Sequence, residues 1–126
     1  MTYDSRMIQF KNQVSNSNIG TALRIADLFN EKERIETFDI ILEIAIADAG
    51  HSKKARDIVR SISIEWLLAN IEKYAQPILD RGYDFEYWQL LDLCSEIDPD
   101  LTQRVAERAA QSQDEAIREA GEHYLN

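Results

Sequence analysis

Few side chains in this 126-residue sequence have the means to do chemistry. His51 and His123 are the two histidines and Cys94 the one cysteine. His123 follows Glu119 by four residues, which puts both on one helical face, a spacing that metal sites use. One such pair leaves a coordination shell incomplete, and no second His-carboxylate motif of that spacing exists. A surface imidazole is the simpler reading. Glu36, Asp39 and Glu43 also share a helical face, without the histidines that a di-iron bundle needs. Cys94 is distant in sequence from both histidines and reads as a packed, inert thiol rather than a nucleophile. Phosphate loop, dinucleotide glycine signature and serine elbow are all missing. The expectation is a protein that is not an enzyme and uses no metal or cofactor. A helical enzyme would first need a metal bound through His123.

Charge is the stronger signal. The chain carries a formal net charge of −9. From Asp80 onward there are 12 acidic and 4 basic residues, leaving 11 acids and 10 bases in the first 79. An acidic surface repels nucleic-acid phosphates and anionic membranes and attracts cationic proteins. Acids are also favoured at helix starts, where the helix dipole is positive, so part of this charge serves the helices that carry it. A solvated acidic face is the plain alternative to a docking surface. With a single cysteine, no signal segment and no membrane-length apolar run, the expected location is the cytoplasm.

These residues must be positioned by helices. An apolar fraction of 44% with 4 Gly and 2 Pro suits one all-α domain over residues 1–126. Met7, Phe10 and Val14 share one face of a helix over 4–15. Asn18 caps a second helix over 19–29, with Ala22, Ile25, Ala26 and Phe29 inward. Residues 33–49 read as one continuous helix, apolar over most of its circumference and closed by a left-handed Gly50. Ser52 caps a helix whose outer face holds Lys53, Lys54, Arg56 and Arg60, the one basic patch. Ser63 caps the next, with Ile64, Leu67, Leu68, Ile71 and Ala75 inward, and Pro77 is expected to break or kink it.

The C-terminal segment has the most regular signals. Asp84 caps a helix with Phe85, Trp88, Leu91 and Cys94 along one side. Asp98-Pro99 joins a capping acceptor to a residue suited to the first helical position. Ser112 and Glu115 have capping-box spacing. In the last helix Ile117, Ala120, Gly121 and Tyr124 face inward, with Gly121 allowing close approach to Ala106, Ala109 and Ala110. Six or seven helices with short joints suggest stacked antiparallel hairpins.

Residues 35–126 resemble a HEAT-like helical repeat in the Asp-Pro helix start and in Gln113–Ala120, where Ile117 and Arg118 match the family's Ile or Val followed by Arg. The resemblance implies helical scaffolding and protein binding. The most concrete function it suits is an acidic immunity protein that covers a basic bacterial toxin, such as a nuclease. The alternative is an adaptor or homo-oligomeric scaffold, in which the basic patch of one copy meets the acids of another. Alternating helices would gather Asp80, Tyr83, Asp84, Glu86, Tyr87, Asp114 and Glu115 into one acidic, tyrosine-bearing rim, the expected partner-binding surface.

Overall fold

The computed structural model describes residues 3–125, with side chains from Ser5 onward. Among these residues it is all helical, with nine helices where the sequence suggested six or seven. The chain divides into two compact units, Met1–Ser63 and Ile64–Asn126.

The first unit holds α1 (Tyr3–Ser15), α2 (Ile19–Ala26), α3 (Glu31–Glu36), α4 (Phe38–Ala47) and α5 (Ser52–Arg60). Its core is built from Phe10, Leu23, Phe38, Ile41, Leu42 and Ile46, all fully buried. Phe10 meets Phe29 edge to face, with ring centroids 5.4 Å apart. The single helix expected over 33–49 is instead two, broken at Thr37. Thr37 leaves helical geometry and turns its hydroxyl onto the Glu33 carbonyl at 2.8 Å. The Thr37 N–H donates to the same carbonyl at 3.1 Å, so the hydroxyl adds a second bond to it. Three terminus assignments also change, at Asn18, Ser52 and Gly50. Asn18 makes no side-chain cap and donates to Gln13 instead. His51 stands at the N-cap of α5, so Ser52 is already helical. The left-handed residue that closes α1 is Ser17, with φ 62°. Gly50 has no positive φ; its N–H donates to the Asp48 carboxylate.

Glu33 is the polar centre of this unit. Its backbone N–H donates to the Asn30 side chain, and its own carboxylate accepts from the Asn30 N–H, forming a reciprocal capping box. The same carboxylate accepts three bonds from the Arg6 guanidinium at 2.9–3.2 Å, tying α1 to the start of α3. Glu33 is fully buried. Burial works against its charge, but the Arg6 guanidinium and the Asn30 N–H outweigh it and hold the carboxyl below its ordinary range.

The second unit contains α6 (Ile64–Leu79), α7 (Asp84–Ile97), α8 (Pro99–Ala110) and α9 (Glu115–Tyr124). Helix α6 continues past Pro77 to Leu79, so of the expected break or kink there is no break. Pro77 lies in the final turn, and the Asp80 N–H still reaches the Gln76 carbonyl at 2.9 Å, so only one ladder bond is surrendered. The stop comes at Gly82, with φ 75°. Leu67, Ile71, Leu90, Leu91, Leu93 and Leu101 fill the core, while Ile64, expected inside, is exposed. Asp98 caps α8 as its sequence suggests, accepting from the Leu101 N–H at 3.0 Å. Helix α9 is capped by Asp114, which accepts from Ala116 and Ile117, so the Ser112–Glu115 box does not form. Gly121 packs directly on the backbone of α8 at Ala106, Ala109 and Ala110, as its size suggests.

Candidate functional site

Two α8 arginines organise the acidic unit. Arg104 donates to Glu72 of α6 at 2.8 and 3.1 Å. Arg108, one turn on, donates to Gln76 and lies 3.7 Å from Asp80. The end of α8 therefore meets the end of α6. The starts of α7 and α9 follow within a few residues, so Asp84 and Asp114 come to the same end of the unit. Asp80, Tyr83, Asp84, Asp114 and Glu115 are all exposed there.

Two members of the expected rim are not on it. Glu86 and Tyr87 are buried. Arg81 reaches across the turn and forks onto Glu86 at 2.9 and 3.1 Å, which neutralises a carboxylate that the core would otherwise hold bare. Tyr87 belongs to the apolar stripe of α7 with Leu90, Leu91 and Cys94. Asp84 does not cap α7; Tyr83 holds that position and Asp84 is the first helical residue. Its carboxylate still lies over the positive end of the helix dipole.

The residue that sequence reasoning missed is Phe85. It was placed in the core beside Leu91, yet it is 45% exposed and stands next to Tyr83 at 60%. At about 100° per residue, Phe85 lies roughly 120° around the helix from Leu91. Centring the stripe on Tyr87, Leu90, Leu91 and Cys94 would have turned Phe85 outward. Asp80, Tyr83, Asp84, Phe85, Asp114 and Glu115 are each exposed.

The remaining chemical candidates are quieter. His123 is exposed and stacks near Trp88, with ring centroids 5.1 Å apart. His51 Nδ1 lies 3.1 Å from both Asp48 oxygens. No group of three or more His, Cys, Asp or Glu side chains among the described residues is placed to hold a metal ion. Cys94 is buried, and burial first, then the Glu72 charge, pushes its thiol up to about 12. Such a thiol has almost no thiolate at neutral pH. The native protein should therefore react with a thiol reagent such as Ellman's only at the rate of unfolding, and one equivalent should appear at once in denaturant. Fast stoichiometric labelling under native conditions would contradict this burial.

In the first unit, Lys54 pairs with Asp27 and Arg60 with Asp57. Lys54 and Arg60 of the expected patch are thereby engaged within the unit. Among the described residues no helix is long and apolar enough to cross a membrane. Comparison of the chain with protein-family models, with curated proteins and with solved structures finds no match.

Proposed function

We propose that this protein is a non-enzymatic binding module of the cytoplasm, an acidic immunity or inhibitor protein whose rim covers a basic protein such as a toxin domain. The observation that carries the reading is the different treatment of acids within one unit. Glu72, Asp80 and Glu86 each face an arginine from within the unit. Asp84, Asp114 and Glu115 have no basic partner among the described residues and stand beside exposed Tyr83 and Phe85. Aromatic anchors inside an acidic surround suit a cationic protein surface, with charge setting the rate of encounter and rings setting its lifetime.

The HEAT-like reading of the fold gains support from the α8 arginines. The Glu72–Arg104 and Gln76–Arg108 contacts share one sequence offset of 32 residues and advance in the same direction. Parallel α6 and α8, as first helices of two successive hairpins, give that register. Arg118 adds a local bond, donating to the Ser112 carbonyl at 3.1 Å across the joint before α9. The scaffold alternative relies on the basic patch, and the pairing of Lys54 and Arg60 weakens it.

The test is association kinetics with a basic partner encoded beside this gene. Replacing Asp84 and Glu115 by Lys should slow association by roughly 10- to 100-fold at low salt, with the gap closing as salt rises. Phe85→Ala should mainly speed dissociation. An association rate indifferent to both charge reversals would remove the rim from the interface.

A further inference from the structure

At the other end of α7 from the rim, Ser95, Pro99, Thr102 and Tyr124 line a cleft of about 220 Å³. That is too small for a cofactor and large enough for the end of one long side chain. Its two aliphatic hydroxyls both have their hydrogens engaged, while the Tyr124 phenol can donate or accept. The Ser95 hydroxyl donates to the Asp92 carbonyl at 2.6 Å, and the Thr102 hydroxyl donates to the Asp98 carbonyl at 2.8 Å. Each hydroxyl has a single hydrogen, so both oxygens offer the cleft only lone pairs. The Tyr124 ring forms one wall and is backed by the Trp88 indole, with centroids 5.9 Å apart.

The helix ends favour the same sign of ligand. Ser95 is in the last turn of α7 and Tyr124 is the last residue of α9, so two negative helix ends converge here. The last turn of α7 contains no basic residue, and that of α9 holds one, His123, whose ring lies against Tyr124. The positive start of α8 is offset by Asp98 at its cap and Asp100 in its first turn.

We propose that this cleft seats a cationic side chain, an arginine or lysine of a protein or peptide, held by the Ser95 and Thr102 oxygens against the Tyr124 ring. The site is separate from the acidic rim and does not rest on it. It requires a donor-rich, positively charged group, because a neutral ligand would forgo the converging helix ends and an anion would oppose them.

The probe is N-acetyl-arginine amide, titrated into the full-length chain at 150 mM salt and followed by amide NMR. N-acetyl-citrulline amide, its neutral isostere, serves as control. Expected are saturable shifts at the Ser95, Thr102 and Tyr124 amides and the Trp88 indole, with the citrulline probe at least ~10-fold weaker. Ser95→Ala, at an exposed position, should weaken binding roughly 3- to 10-fold with the spectrum otherwise retained. Tyr124→Leu should weaken it by a similar factor through loss of the ring face. Absence of saturable shifts, equal binding of the two probes, or affinity unchanged in Ser95→Ala would overturn the proposal. Shifts confined to Asp84 and Asp114 would also overturn it, while leaving the rim reading intact.

Discussion

Gly121→Ala is expected to destabilise the second unit by about 2–3 kcal/mol, although alanine is the better helix former. A Cβ at Gly121 would lie 2.6 Å from the Ala106 carbonyl oxygen and 2.8 Å from the Ala109 carbonyl carbon, and closer still to the Ala110 nitrogen. All three are backbone atoms of α8, so no side chain can swing aside. Helix α9 must lift off α8, and the seam around Ala106, Ala109 and Ala120, all buried, opens with it. The gain in helix propensity, roughly 0.5–1 kcal/mol, offsets only part of this cost. Gly20→Ala supplies the control. Its Cβ would meet only the His51 Nε2, at 3.8 Å, an ordinary contact in the first turn of α2. That substitution should be neutral or stabilising by up to about 1 kcal/mol. Urea denaturation of both variants reads the contrast directly; a Gly121→Ala protein as stable as the parent would mean that α8 and α9 pack less closely than described.

The Gly121 contact was legible in the sequence because size alone decides it: a glycine among alanines on facing stripes permits only close approach. The Asp98-Pro99 start was legible for a similar reason, since its cap is local. Most errors came where two local signals competed. At 112–115 a Ser and an Asp could each cap α9, and the carboxylate won, taking both the Ala116 and Ile117 N–H groups. At 33–49 the apolar pattern is continuous, and nothing in periodicity marks Thr37, whose φ of −105° and ψ of 12° leave the helix, as a break. The rim was half legible. Exposed acids at helix starts follow from local rules, but the fate of Glu86 turns on Arg81, five residues earlier across a turn, whose fork internalises the charge. Phe85 was lost to a stripe centred one position off. Ion pairs between distant segments, such as Arg104 with Glu72, leave no trace in a single sequence, because surface charges at helical spacing match too many partners.

The buried ion pair of the first unit carries the other large effect. Arg6→Ala should cost about 2–4 kcal/mol at neutral pH, because it strands the buried Glu33 carboxylate rather than merely deleting a surface pair. The estimate stays below the full cost of breaking a buried pair because the Arg6 side chain is itself 24% exposed. The pH dependence separates this cause from lost packing. In the parent protein the Glu33 carboxyl lies below its ordinary range, so its stabilisation is fully present above the unfolded pKa, about 4.3, and is lost as pH falls through the folded value. Without Arg6, burial dominates and favours the protonated acid, so the folded pKa moves above the unfolded one. The variant then gains stability on acidification where the parent loses it. The gap between the two proteins should shrink from pH 7 to pH 4. Glu33→Gln, uncharged and able to accept from the Asn30 N–H through its amide oxygen, should show a smaller acid dependence than the parent and a milder loss at pH 7. A gap between parent and Arg6→Ala that is constant across this range would assign the loss to the arginine's packing and not to the charge on Glu33.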